Sequence, residues 1–490
     1  MRTMLNHEFD PDFGSALASA AAIRAKKISS VELTQHTFKR IDAFQPRLNA
    51  YVYQLREEAL SSAKQADERI ARNAPLGLLH GVPINVKESF GVQGQPCTWG
   101  IPELKHSNAP AHSVAVRRLL DAGTILQGAT NVPLFLMDTQ AFNEIYGRSN
   151  NPWDLDRTPG GSSGGSAASL AAGMAFLSVG SDIGGSIRTP ASFCGIYGHK
   201  PTLDIVSLQG HLPAGLHGDP GFSTLLAVAG PMARYAEDLE ASMRVLAGME
   251  YPDTKAFQWT LPPARHERLS EYRIQYILED PLVPVSVETK AVLESAIRAC
   301  ERAGAAVTHG WPEGFRFQEM FETYLFLLGA VDFSVMPTER QKHVRPRLEN
   351  RTDSMAKGSL SSFAEWQARN FRRLAYRAFW QKFFQSTDVF LLPSTFTAAF
   401  AHDPTPIETR MIPLPEGGAQ PFLNMLAYIS PATLTGCPAT TAPAGLSKSG
   451  LPVGIQIVGP YLEDGTPIRF VQLLAREIGG FRAPKGYNGS

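Results

Sequence analysis

Between residues 157 and 202 the chain reads RTPGGSSGGSAASLAAGMAFLSVGSDIGGSIRTPASFCGIYGHKPT, with glycine-serine clusters at 160–166 and 180–188. A flexible Gly/Ser linker carries no apolar periodicity between its glycines. Here Ala168, Ala171, Ala172, Ala175 and Leu177 fill the interval with helical character. The glycines are therefore read as serving close approach, either of backbone N–H groups to a bound atom or of one helix to another. The rest of the chain is read as the frame that holds this stretch.

Composition limits what the stretch can bind. The 490 residues set 46 Lys+Arg against 46 Asp+Glu. Zero net charge supplies no electrostatic footprint for nucleic acid or for an anionic membrane, so a small, mostly uncharged molecule is the expected partner. Cys97, Cys194, Cys300 and Cys437 lie far apart in apolar contexts such as SFCG and TGCP. They read as reduced thiols packed in a core, with no metal-ligand spacing among them. The N-terminal MRTMLNHEFDPDFG is polar where a signal peptide needs an apolar run. The longest apolar stretch, 167–179, is broken by Ser169, Gly173 and Ser178 and is too short to span a bilayer. The expectation is a cytoplasmic protein with no membrane contact.

Periodicity places the frame. Ser29 and Glu32 form a capping-box pattern, and Leu33, Thr37, Ile41 and Phe44 follow at helical spacing, predicting a helix that stops before Pro46. Ala59, Ala63, Ala66 and Ile70 share one face of a second helix. The segment 83–90 reads as a strand, 113–122 as a short amphipathic helix, 124–128 as a strand and 129–133 as a turn. Further on, Gly230-Pro231-Met232 is expected to open a helix through Leu246. Strands are expected at 272–278 and 388–393, and a helix at 286–303. A helix near 363–384 is expected to turn Arg369, Arg372, Arg373, Arg377 and Lys382 to water. The segment 442–457 reads as a hairpin with its loop at 447–450. Alternating helices and strands argue for a layered α/β fold.

Acyl transfer needs a nucleophile, a base within reach of it, and donors aimed at the developing oxyanion. In Asp182-Ile183-Gly184-Gly185-Ser186 the residues are small enough for successive N–H groups to turn toward one point, a nest suited to an oxyanion. Neither cluster ends in the Gly-Lys-Ser/Thr of a P-loop, and no GxGxxG occurs, so nucleotide binding falls behind. Gly161-Ser162-Ser163-Gly164-Gly165 fits G-x-S-x-G, but that nucleophile elbow needs a strand just before it, and Arg157-Thr158-Pro159-Gly160 makes a poor one. His80 and His199 lie near the motif, and each alone reads as structural.

Three segments in order, GVPINVKESF, PGGSSGGSAA and GSDIGGSIRTPASFCGIYGHKPT, resemble the amidase signature hydrolases, with weaker continuations in GPMARYAEDL, GCPATTAPAG and GLPVGIQIVGP. The resemblance implies a single α/β domain with a large central mixed β-sheet covered by helices. Residues 1–75 would be N-terminal helices packed on the core, 76–490 the signature domain, and about 312–425 the variable pocket region. It also implies a Ser-cisSer-Lys triad, with Ser186 as nucleophile, Ser162 as bridging serine and Lys87 as base. The amides of Ile183, Gly184, Gly185 and Ser186 would form the oxyanion hole, and Asp182 and Arg188 would support the loop. A lysine among apolar groups loses hydration of its charge, so its pKa falls toward neutrality.

Leu136 matches a substrate-contacting position of fatty acid amide hydrolases, and Ser163 is a second substrate-binding candidate. The aromatic segment 315–333 fits an uncharged acyl or aryl group or plain core. The implied activity is hydrolysis of C–N bonds in small, mostly uncharged carboxamides or aryl or alkyl amides, with esters and carbamates also open. No metal or organic cofactor is implied, and a homodimer stays open. The amide-hydrolysing component of a tRNA-dependent amidotransferase and a non-catalytic binding protein on the same fold are the alternatives.

Overall fold

The computed structural model describes residues 9–212 and 225–488. Eleven strands form one mixed sheet. In spatial order they are Tyr51–Gln54, Ile125–Thr130, Pro83–Lys87, Leu177–Asp182, Val228–Ala233, Tyr197–Lys200, Ala439–Leu446, Pro452–Val458, Val389–Pro393, Arg273–Tyr276 and Ala306–His309. Every residue of Pro83–Lys87, Leu177–Asp182 and Val228–Ala233 is buried. These strands are covered on both faces, which is why they read as continuous small and apolar runs and show little alternation.

Pro83–Lys87 runs parallel to both Ile125–Thr130 and Leu177–Asp182, with Val86 opposite Val179. Lys87 and Asp182 therefore end neighbouring parallel strands on the same edge, where open α/β sheets bind their ligands. The hairpin of Ala439–Leu446 and Pro452–Val458 closes as expected, with the Ser447 amide donating to the Leu451 carbonyl at 2.8 Å.

Four local expectations change. The first helix, Ser30–Leu48, has its capping box but continues through Pro46. Pro46 withholds a single N–H, and Asp42, whose carbonyl would have accepted it, is exposed to water. Residues 1–75 also hold more than helices, because Tyr51–Gln54 pairs antiparallel with Ile125–Thr130 as the sheet's edge. Gly230-Pro231-Met232 opens no helix; it lies inside the strand Val228–Ala233, and the helix begins at Ala236. A β-carbon on Gly230 would meet the His199 carbonyl oxygen at 2.2 Å, so glycine here permits strand contact. In the helix Phe363–Phe383, Arg373 is buried and Arg377 donates to the Thr435 carbonyl at 2.7 Å, so two of the five cations expected in water pack inward.

Candidate active site

The two glycine-serine clusters meet at the carboxyl ends of the parallel strands. The first leads into the helix Gly164–Ala171, every residue of which is buried. The second follows the strand Leu177–Asp182 and leads into the buried helix Arg188–Cys194. The Ser163 amide donates to the Ser186 carbonyl at 3.2 Å and ties the clusters together. Close approach explains the glycines: a β-carbon on Gly161 would come within 2.4 Å of the Asp138 carbonyl oxygen, and Gly185 has φ +86°. The Gly161–Ser162 peptide is cis.

Lys87 Nζ lies 2.7 Å from Ser162 Oγ and 2.8 Å from Ser181 Oγ, and the lysine has no solvent exposure. Burial pulls the Lys87 ammonium down to about 7, against the opposing fields of the Asp182 and Glu88 carboxylates. Ser186 is 6% exposed, and its hydroxyl has no hydrogen-bond partner among the described residues. Ser162, Ser181 and Ser186 line one cavity of about 130 Å³. His211 lines it too, but burial and then the Lys87 charge pull its imidazole down to about 3, and Ser89 Oγ lies 2.9 Å from its Nε2. A group held neutral that far below working pH is no candidate for the base.

The 182–188 loop is held by a buried ion pair. Asp182 Oδ1 accepts from Arg188 at 2.7 Å and from the Gly185 amide at 3.0 Å, and Oδ2 accepts from the Ile187 amide at 3.1 Å. Burial alone would push the Asp182 carboxyl up, but the Arg188 charge and hydrogen bonds outweigh it and hold the carboxyl below its ordinary value. Arg188 also donates to the Ile429 carbonyl, Gln456 Oε1 and Thr433 Oγ1, anchoring the loop to the hairpin side of the sheet. Of the four amides expected to face an oxyanion, Gly185's is turned to Asp182. Those of Ile183, Gly184 and Ser186 have no acceptor among the described residues. Tyr324 in the helix Phe317–Ser334 donates to the Ile183 carbonyl at 2.9 Å and so fixes the loop from above.

Leu136 lines the cavity, beside Trp99, Phe135 and Met137. Phe135 and Leu136 have φ of 54° and 60°, a left-handed pair that costs free energy in non-glycine residues and is concentrated at binding surfaces. Ser163 is placed differently: its buried Oγ points to Gly180, where a β-carbon would meet it at 2.7 Å, and it does not line the cavity. His199 is structural in its contacts, lying 2.9 Å from Thr440 Oγ1 and 3.0 Å from Asp464 Oδ1.

The sequence matches the Amidase family over residues 32–467. The chain belongs to the amidase signature family. It is 32% identical over 465 residues to an indoleacetamide hydrolase of Bradyrhizobium diazoefficiens, covering 92% of this chain and 84% of that protein. It is 30% identical over 482 residues to a glutamyl-tRNA(Gln) amidotransferase component, the GatA-type polypeptide, of Nostoc sp., covering 90% and 92%. Among solved structures, a bacterial aryl acylamidase of the amidase signature family superposes with TM-score 0.81 at 25% identity, covering 96% and 97%. A 6-aminohexanoate cyclic dimer hydrolase superposes with TM-score 0.78 at 26% identity, covering 98% of this chain and all of that one.

Sequence reasoning missed three polar residues of this amidase's site. Ser181 is the second partner of Lys87, and its place in GSDIGGS, one residue before Asp182, was the available signal. Glu88 sits behind Lys87, accepting from Thr98 Oγ1 at 2.7 Å and from the Trp99 amide at 3.0 Å, and burial pushes its carboxyl up. Asp332 lines the cavity from the helix Phe317–Ser334. Among the described residues no group of three or more His, Cys, Asp or Glu could hold a metal, and no helix is long and apolar enough to cross a membrane.

Proposed function

We propose that this amidase cleaves the C–N bond of small amides with a largely apolar body through an acyl-enzyme on Ser186. The observation that carries the reading is the buried Lys87, 2.7 Å from Ser162 Oγ and drawn down to about 7, on the cavity that Ser186 also lines. Neutral Lys87 keeps Ser181 Oγ as an acceptor for one of its hydrogens and takes the proton of Ser162. Ser162 in turn takes the proton of Ser186, whose Oγ bonds to the substrate carbonyl carbon. The carbonyl oxygen becomes the oxyanion, and the unengaged amides of Ile183, Gly184 and Ser186 are its donors. The proton returns along the same relay to the leaving nitrogen as the C–N bond breaks. Water, deprotonated by the same relay, then attacks the acyl ester, releases the carboxylic acid and restores Ser186.

Treatment with a fluorophosphonate tests this. Intact-protein mass spectrometry is expected to show one adduct, and peptide mapping to place it on Ser186. An adduct on Ser163 or on no serine of the loop overturns the reading. The second reading, a component of a tRNA-dependent amidotransferase, is favoured by the 30% identity to the Nostoc sp. protein. Hydrolysis of a simple anilide by the purified chain alone counts against it.

A further inference from the structure

Leu328, Val331, Asp332 and Val335 all line the cavity. Their spacing of three, four and seven residues puts them on one stripe of the helix Phe317–Ser334 and its C-cap. Tyr324, one turn before Leu328, is hydrogen-bonded to the Ile183 carbonyl. That bond fixes the stripe relative to the oxyanion loop, with Asp332 two helical turns farther on. Among the described residues three carboxylates line the cavity: Asp138, Asp182 and Asp332. Two of them have an arginine at 2.7 Å, Arg410 for Asp138 and Arg188 for Asp182.

Asp332 has no hydrogen bond or ion pair with any described residue, and no described arginine or lysine lines the cavity. Its neighbours on the stripe are aliphatic, and burial alone pushes its carboxyl up to about 7. A carboxylate held without a partner in such surroundings is unfavourable for the folded protein. A structural role would have supplied a partner, as it did for the other two carboxylates.

We infer that Asp332 is a specificity residue that receives a protonated amine carried by the substrate at a distance from the scissile amide. The substrate class is then a small amide with an apolar or aryl body, an amine on the body, and no anionic group. A cavity of about 130 Å³ is close to the size that takes up a benzene ring, so one ring or a short alkyl chain fills it. This amends the expectation of an uncharged partner, and it rests on the reading of the cavity as the substrate site of an amidase.

The test measures binding, so that it does not depend on turnover. In the Ser186→Ala protein, dissociation constants are determined by calorimetry for 4-(aminomethyl)benzamide, 4-methylbenzamide and 4-carboxybenzamide. A hydrogen bond to a charged group is worth about 1.5–3 kcal/mol, so the amine is expected to bind at least tenfold tighter than the methyl compound, and the carboxylate weakest. Adding Asp332→Asn, which keeps the side-chain shape, is expected to bring the amine and methyl compounds within threefold of each other. Adding Asp332→Glu in its place is expected to restore part of the preference. Equal affinities in the Ser186→Ala protein, no measurable amine binding, or a preference that survives Asp332→Asn each overturn the inference. Fluorophosphonate labelling of the wild type reports on the catalytic reading separately. A missing Ser186 adduct with an intact amine preference would remove the acyl-enzyme and leave Asp332 as the receptor.

Discussion

Replacing Lys87 by methionine separates the catalytic service of the lysine from its cost to the fold. At pH 7 a lysine drawn down to about 7 is half neutral, whereas one at roughly 10.4 is neutral about once in 2,500 molecules. Burial thus raises the supply of base by about a thousandfold. The same shift penalises the folded state by about 4 kcal/mol at pH 7 for Lys87. Methionine fills similar volume without charge but leaves the hydroxyls of Ser162 and Ser181 short of a partner, at about 1 kcal/mol each. Lys87→Met should therefore be more stable than wild type by about 2 kcal/mol at pH 7 while losing roughly 100- to 10,000-fold in amide hydrolysis.

The pH dependence follows from the sign of the shift. The folded pKa lies below the unfolded one, so between pH 7 and 10 the unfolded chain binds more protons at this site and wild-type stability gains with rising pH. The advantage of Lys87→Met should be largest below pH 7 and fade by pH 10. Wild-type turnover should rise with pH through about 7 and then level. Urea unfolding from pH 6 to 10 and initial rates on benzamide measure both. A folded Lys87→Met protein within tenfold of wild-type amide activity would sink the relay. A variant less stable than wild type below pH 7 would show that the lysine carries no such burial cost.

Two further outcomes test the frame. Arg188→Met leaves Asp182 buried without its cation, and removing one partner of a buried pair costs about 3–5 kcal/mol. Urea unfolding should show that loss, and a change under 1 kcal/mol would mean that the loop does not depend on the pair. Asp388, held by Arg273 and Arg265 in salt bridges of 2.7 and 3.2 Å, is drawn down to about 2 although burial opposes the shift. Its contribution is present above the ordinary carboxylate pKa near 4 and lost as pH falls toward 2. Asp388→Asn should therefore lower the melting temperature at pH 6 and change it much less at pH 2; an equal loss at both would refute the assignment.

The motifs were legible because the site is built from residues whose reason for being there is local. Gly161 and Gly185 occupy a contact and a backbone angle that deny a β-carbon, and that requirement shows in the letters themselves. The sequence separation of 75 residues between Lys87 and Ser162 closes to 2.7 Å because two parallel strands end side by side. Where the reading failed, the deciding fact was which neighbour the fold supplied. Arg373 looks like any other cation of a basic helix until the sheet side of that helix is known. Gly230-Pro231-Met232 carries the letters of a helix start but lies between two antiparallel partners, and only strand order decides that.

Asp332 shows the same limit at the site itself. In FETYLFLLGAVDF it is a single acid in an apolar run, and helical spacing places it with Leu328, Val331 and Val335 without saying what that stripe faces. Core, water and cavity are all compatible with the spacing. In water the carboxylate would be solvated, and in a core it would need a cation. A stripe turned to a cavity is the one arrangement in which an unpartnered acid leaves its partner to be brought by the ligand. The catalytic half of the site can therefore be written in glycines and serines, because its partners are all within the chain. The half that chooses a substrate is written in what the chain leaves unpaired, and an unpaired group shows only once every neighbour has been placed.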